Sequence, residues 1–464
     1  MLTNRIPRKA TAPTPDCNKA AGARDLDSAS LLDLCLGRCH PVRHDMRTPV
    51  VDFLEAAWLG RAREASGRSV PEEALERLRP AVRRLSDLFT TARPDGGFPD
   101  YFSDPGLLAA YGLFFFPQSF ARAGMALDQP VRFRGWRPAP RAEAEPVRVL
   151  DIGGGPGPCG LAMAAAIHAI TPGRGVALTL LDHSAAALAA ARELVAHGAK
   201  AGDPPGDVPD IFRSISLGTI CADAGKATSL PDPLPLQDVI VAGFCANELV
   251  PGGKDSLARW LAGLREKLAP EGLLLVLEPA LRETALRLRH AADVLVAEGL
   301  FHEWAPGIGA GRHAIPPPGT LDSRFHPHEV RAWTPPDSMA FLNRELFRES
   351  GSVLKFSYVA LGAEPPPLDS PEELLRLVSP LEMLKGRLVC AAEDENRERL
   401  TLEIPTRGLS KNEVKKITAA HERGDIFRVP TSLRQPVGLP GSRLFRIGSH
   451  TLLQPAYTLG SRHP

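Results

Sequence analysis

Residues 151–160 read DIGGGPGPCG, and they follow an apolar run carrying Val147, Val149 and Leu150. Glycines at alternate positions (Gly153, Gly155, Gly157) between an apolar run and a helix-like stretch mark a strand, a tight turn and a helix N-terminus. Glycine lets the backbone turn sharply and approach a ligand with no Cβ in the way. The amides of the next helix's first turn then face that ligand. Spacing alone leaves two cofactor classes open, because Gly155, Gly157 and Gly160 also satisfy the G-x-G-x-x-G of dinucleotide enzymes.

Neighbouring acids separate the two. Asp151 ends the strand just before the first glycine, giving D-x-G-x-G-x-G, where dehydrogenase strands run apolar into the loop. A second apolar run, Val176 to Leu181, ends at Asp182, whose carboxylate can accept hydrogen bonds from both ribose hydroxyls. A third, Ser214 to Cys221, leads to Asp223, in the place where an adenine amino group is held. Any one of these acids could serve as a helix or turn cap, but three at successive strand ends favour S-adenosylmethionine (SAM) over a nicotinamide or flavin. The expected cofactor-binding residues are Asp151, Gly153, Gly155, Gly157, Asp182 and Asp223.

Outward from the loop, the pattern repeats as strand, turn and helix: Ala177 to Asp182, a helix opened by Ser184, Ser214 to Cys221, Asp238 to Cys245, and Gly272 to Glu278. Near-continuous apolar runs of this kind are parallel strands buried on both faces. Phe301 to Ala305 and Leu354 to Leu361 supply a terminal antiparallel hairpin. The fold class expected is therefore α/β, a Rossmann-like, mostly parallel sheet of the class I SAM-dependent methyltransferase kind, over residues 145–363. Residues 50–130 read as a helical N-terminal region, with Pro138, Pro140 and Pro146 leading out of it. Residues 1–49 read as a disordered tail. Beyond Glu364 to Pro367, residues 370–464 read as a small basic β-containing domain, with a hairpin from Gly386 to Cys390 and Arg399 to Ile404 and a helix from Lys411 to His421.

Composition narrows the class. The 464 residues exceed one ordinary core. Fifty-five Lys and Arg nearly cancel 54 Asp and Glu, so no global attraction to nucleic acid or membrane is implied. The charge is uneven, however: residues 376–464 hold 15 Lys plus Arg against 9 Asp plus Glu, an excess that suits a phosphate-bearing partner. No apolar stretch approaches the ~20 residues of a membrane span. Seven cysteines lack any C-x-x-C pair, which fits a reducing, cytoplasmic setting. Cys35, Cys39 and His40 read as incidental, and no metal site is expected.

Asn247-Glu248-Leu249 after the fourth strand, Leu277-Glu278-Pro279 after the fifth and Lys355-Phe356-Ser357-Tyr358 near the last resemble the small-ribosomal-subunit methyltransferase-like family, which includes mitochondrial ribosome assembly factors and bacterial relatives. Asp104-Pro105 to Ala123, Lys385-Gly386-Arg387 and Arg423-Gly424-Asp425 are similar to its flanking regions. The resemblance implies a SAM-binding protein whose partner is the small ribosomal subunit or its rRNA, either methylating it or assisting its assembly. Many relatives carry cysteines between the last two strands that bind an iron-sulfur cluster. This chain has no cysteine between Cys245 and Cys390, which argues against such a cluster. His313, His326 and His328 there read as loop surface.

Methyl transfer is an in-line displacement and needs alignment in a dry pocket more than acid-base chemistry. The acceptor is expected beyond the carboxyl end of the fourth strand. There Asn247 would orient it and Glu248 would take its proton, unless the pair caps the following loop. Cys245 lacks a preceding proline and reads as a buried thiol. A small-molecule methyltransferase is the remaining alternative; such an enzyme would spend its extra residues on a lid over the cofactor pocket.

Overall fold

The computed structural model describes residues 49–90, 99–140, 145–200, 208–225, 234–309, 327–346, 351–367, 371–438, 443–448 and 455–457. The expected tail up to residue 48, His313 and His326 lie outside these residues. Three helices open the described chain: α1 (Pro49–Ser66), α2 (Pro71–Phe89) and α3 (Pro105–Asp128). Asp104 starts α3 by accepting hydrogen bonds from the Gly106 and Leu107 amides at 2.8 and 3.1 Å, an N-cap followed by Pro in the first turn. Its side chains are apolar nearly all round, including Leu107, Phe114, Phe116 and Phe120, so it belongs in a core rather than on a surface. The Trp58 indole of α1 lies against Gly112 of α3, where a Cβ would stand 2.0 Å from the ring.

The first sheet is built from β1 (Val147–Ile152), β2 (Val176–Asp182), β3 (Ile215–Cys221), β4 (Gln237–Gly243), β5 (Leu268–Pro279), β6 (His302–Ala305), β7 (Glu329–Ala332) and β8 (Val353–Gly362). Their order is β3-β2-β1-β4-β5-β8-β6, with β7 also on β8. Strands β1 to β5 are parallel, whereas β8 runs antiparallel to β5. Both β6 and β7 pair antiparallel with the outer edge of β8, one at each end. Between the strands lie α4 (Pro158–Ile170), α5 (Ala185–Lys200), α6 (Val208–Arg213), the single turn α7 (Ala246–Leu249), α8 (Lys254–Leu264), α9 (Arg282–Ala297) and α10 (Asp337–Leu346).

Side-chain alternation sends Val147, Val149, Val239, Val241, Leu273 and Leu275 to the face covered by α1 to α5. Leu150, Ile152, Ile240, Ala242, Leu274 and Val276 go to the face covered by α8 and α9. The N-terminal helices thus share one continuous apolar core with the sheet. The chain reverses direction of growth between β1 and β4, a topological switch point whose crevice opens at the strands' carboxyl ends.

A second, mostly antiparallel sheet follows, with β9 (Leu374–Leu377), β10 (Glu382–Leu384), β11 (Arg387–Glu393), β12 (Arg399–Pro405), β13 (Ile426–Arg428), β14 (Gln435–Pro436), β15 (Leu444–Arg446) and β16 (Pro455–Tyr457). Helix α11 (Lys411–Ala420) begins with a capping box between Ser410 and Glu413 and lays Val414 and Ile417 on Leu388, Leu402 and Ile404. Buried ion pairs tie the two sheets together. Glu329 of β7 holds Arg376 of β9 and, at 3.0 Å, Arg331. Arg331 reaches Asp425 at 3.4 Å, and Arg397 reaches Asp293 of α9 at 2.5 Å. Among the described residues no helix is long and apolar enough to cross a membrane.

Candidate functional site

The β1–α4 loop is held by its own carboxylates. Gly153, Gly155 and Gly157 have φ of 64°, 52° and 89°, the left-handed region that non-glycine residues enter at a cost of about 1–2 kcal/mol. Asp151 is buried and accepts from the Gly160 amide at 2.7 Å, so it closes the loop onto the first turn of α4. Burial pushes its carboxyl up to about 7, the Gly160 bond opposing and Asp182 adding to the shift. Asp182 accepts from the Gly155 amide at 2.8 Å with one oxygen and from the Ser184 amide at 2.8 Å with the other. Burial raises its carboxyl too, against those two bonds. Each carboxylate oxygen can accept a second hydrogen bond, so Asp182 keeps acceptor capacity for a diol. Asp223 is exposed just past β3 and accepts from the Gly225 amide at 3.0 Å.

The six residues read from sequence as cofactor-binding therefore fall on the adjacent carboxyl ends of β1, β2 and β3. Their roles differ: Asp151 organises the backbone, and Asp182 braces the loop while bordering the crevice. Close approach is also built in at Gly160, outside that set, and at Gly153 within it. A Cβ on Gly160 would stand 2.8 Å from Leu178 and 2.9 Å from the Asp151 carboxylate, and one on Gly153 would stand 2.7 Å from Cys245.

Aromatic side chains cover the loop. The turn Tyr101–Ser103 sets Phe102 against Gly155, whose Cβ would meet the ring at 3.2 Å. Phe102 packs on Tyr101 and Tyr111 with centroids 4.3 and 4.9 Å apart. Burial, then mutual repulsion with Tyr111, Glu248 and Asp182, raises the Tyr101 hydroxyl well above its ordinary value, so these acids and phenols share one neighbourhood. Nothing in the local sequence announces this cover, because it lies some fifty positions before the loop and is delivered by packing of α3.

At the carboxyl end of β4, Phe244 has φ 63°, a strained value for a bulky residue, and Cys245 follows. The Cys245 thiol donates to the Ile152 carbonyl at 3.0 Å. Burial, reinforced by Glu278, Asp151 and Glu248, holds it well above the ordinary thiol range, which disfavours the thiolate a nucleophile needs. Asn247 and Glu248 sit in α7, both half-buried. Glu278, buried at the end of β5, accepts from the Asn247 backbone amide at 3.0 Å and from its side-chain Nδ2. That leaves Asn247 Oδ1 enclosed and without a hydrogen-bond partner. Among the described residues no group of three or more His, Cys, Asp or Glu is placed to hold a metal ion.

No family model and no curated protein sequence matches the chain. Solved structures do match it. A TehB-like SAM-dependent methyltransferase from Corynebacterium glutamicum is 13% identical over 53% of this chain and 88% of its own, with a TM-score of 0.25. PKMT2 from Rickettsia typhi, solved in complex with AdoHcy, is 17% identical over 37% of this chain and 28% of its own, with a TM-score of 0.23. Precorrin 8W decarboxylase from Methanobacterium thermoautotrophicum is 18% identical over 32% of this chain and 64% of its own, with a TM-score of 0.22. At TM-scores and identities this low, no conclusion is drawn from these likenesses. The strand order and the antiparallel β8 define an α/β protein resembling the Rossmann-like core of class I SAM-dependent methyltransferases.

Proposed function

We propose that this chain binds SAM at the β1–α4 loop and acts on the small ribosomal subunit or its rRNA in the cytoplasm, as a methyltransferase or as a SAM-binding assembly factor. The observation that carries the cofactor reading is the bond from the Gly155 amide to Asp182. It holds the glycine turn open beside a carboxylate suited to a ribose diol. The residues fit the group: the left-handed glycines turn the backbone with no Cβ in the way, Asp223 stands one strand further along for the adenine, and Phe102 covers the turn at Gly155. SAM supplies an electrophilic methyl group on a sulfonium. The chain's own part is to orient the acceptor: Asn247 Oδ1, enclosed and unpartnered, would accept from an acceptor N–H, and Glu248 beside it would take the proton. Glu278 fixes the Asn247 amide for that role.

The ribosomal part rests on the short motifs around Asn247, Glu278 and Lys355 and on local charge. Many of the C-terminal arginines are ion-paired, as Arg387 and Arg446 are with Glu403 and Arg443 with Asp394. Lys385, Arg407, Lys411, Lys415 and Lys416 stay exposed. They meet at one place, since the Thr406 amide donates to the Gly386 carbonyl at 3.0 Å and Ser410 then caps α11. Exposed Met383 and Leu384 adjoin them. The small-molecule reading has one observation in its favour, the Phe102 cover over Gly155.

Calorimetric titration with SAM, using Asp182→Ala as control, tests the pocket; absence of binding by the wild type overturns the cofactor reading. A labelled-methyl assay on small subunits from a deletion strain, paired with co-sedimentation at two salt concentrations, tests the rest. Label in rRNA supports the enzyme, and sedimentation without label supports the assembly factor. Neither result would leave the small-molecule reading standing.

A further inference from the structure

Arg122 projects from α3 into the neighbourhood of the glycine loop, with no counter-ion among the described residues. Among the described residues its side chain hydrogen-bonds from Nη2 to Gln118 Oε1 at 3.1 Å, and its enclosed Nε has no partner. Among the described residues no carboxylate pairs with it, and the titratable groups that act on it are the Cys159 thiol and the Tyr111 phenol. Burial drives the first of these well above its ordinary value and raises the second as well, so both are neutral and offer no charge. Burial correspondingly lowers the Arg122 guanidinium to about 10. Arg122 is half-buried with its Nε enclosed, and a guanidinium partly taken from water without an anion is unfavourable, so the site suits a ligand that supplies one.

Its position says which part of a ligand. The guanidinium lies over the Phe244 ring, 5.4 Å from the centroid, and Phe244 sits in left-handed backbone immediately beyond β4. Cys159, in the first turn of α4, contacts the Ser119 carbonyl of α3 at 3.9 Å, and a Cβ on Gly243 would strike its sulfur at 2.3 Å. Arg122 therefore stands where the start of α4 meets the tip of β4. Asp182 stands at the tip of β2, and the order β2-β1-β4 places the two sites two strand spacings apart, about 10 Å. That is roughly the reach of SAM from its ribose hydroxyls through the sulfonium to the carboxylate of its methionine portion.

We infer that Arg122 is the counter-ion for the α-carboxylate of a bound S-adenosyl amino acid, making the pocket selective for ligands that keep the amino-acid part. The inference rests on the SAM reading above and assigns the end of the pocket opposite Asp182. Phe244 holds the guanidinium plane from one side, leaving its edge for bidentate pairing with a carboxylate.

The test is calorimetry on the full chain with S-adenosylhomocysteine and with 5′-methylthioadenosine, which shares the nucleoside and sulfur but has no amino-acid portion. Arg122→Met is expected to weaken S-adenosylhomocysteine by about 10- to 100-fold and to leave 5′-methylthioadenosine within twofold. Arg122→Lys should recover part of the loss. Unliganded Arg122→Met should melt no lower than wild type, because a charge without a partner has been removed. Equal loss for both ligands, or no loss for S-adenosylhomocysteine while the wild type binds it, overturns the assignment. A wild type that binds neither ligand overturns the cofactor reading itself.

Discussion

Replacing Asp151 by Asn tests whether the loop is closed by a carboxyl whose proton affinity depends on folding. Burial, the largest cause, pushes this carboxyl in the folded chain from its ordinary 3.8 up to about 7. A raised carboxyl means that the folded state binds the proton more tightly than the unfolded one. The associated stability is fully present below about pH 4 and is lost as pH rises through 7. From pH 5 to pH 8 this single group should remove roughly 2.5 kcal/mol. Asn keeps an oxygen for the Gly160 amide but does not titrate, so its stability should lack that slope. The assay is urea unfolding of both proteins at pH 5, 6, 7 and 8, read as the difference between them so that other titrating groups cancel. Asp151→Asn should gain on the wild type steadily up to about pH 7 and then level off. A difference constant with pH to within about 0.5 kcal/mol would show that Asp151 is solvated or fully compensated, and the account of the loop would fall.

Two further outcomes follow from packing and charge. Burial pushes the Glu329 carboxyl up, but Arg376 and Arg331 more than reverse this and leave it below its ordinary range; Glu329→Gln strands the Arg376 guanidinium, while Arg331 keeps Asp425, and should cost about 3–5 kcal/mol in urea unfolding, so an unchanged midpoint would mean the inter-sheet contact is wet. Changing Lys385, Arg407, Lys411 and Lys415 to Ala should weaken binding to a labelled hairpin RNA and flatten its salt dependence by up to about 0.9 per lost phosphate contact, while the same change at Arg77, Arg83 and Arg84 of α2 should leave the slope alone.

The strands of the first sheet were legible because parallel strands buried on both faces are nearly unbroken apolar runs, as in Val239–Ala242 and Leu273–Leu277. The glycine loop was legible because its backbone conformations demand glycine. The partners of those residues were hidden. Nothing near Asn247 says that Glu278 fixes it, because the two meet only when β4 and β5 align, and nothing near Gly155 points to Phe102. Strand β7 went unread because Glu329 and Arg331 are charged, and a charged strand inside a core is intelligible only once Arg376 and Asp425 are seen opposite it. In the second sheet the paired β11 and β12 alternate clearly, whereas β13 to β16 have two or three residues each, too few for any periodicity.

Geometry also separates the two acceptor readings. Strands β11 and β12 dock through the end that carries Glu393, Arg397 and Arg399, where Arg397 meets Asp293. The exposed basic turn at Lys385 lies at the opposite end, six residues along β11, about 20 Å away. It is therefore directed away from the inter-sheet contact, toward whatever approaches from outside. A ligand that engages this turn and also presents a reacting group to Asn247 must be large, as a folded RNA is. A ligand confined beneath Phe102 touches none of the exposed lysines. Charge reversal at Lys385 and Lys411 thus distinguishes the readings through the acceptor alone: it should weaken the productive encounter with a ribosomal acceptor and leave SAM affinity intact, whereas transfer to a small molecule would be indifferent to it.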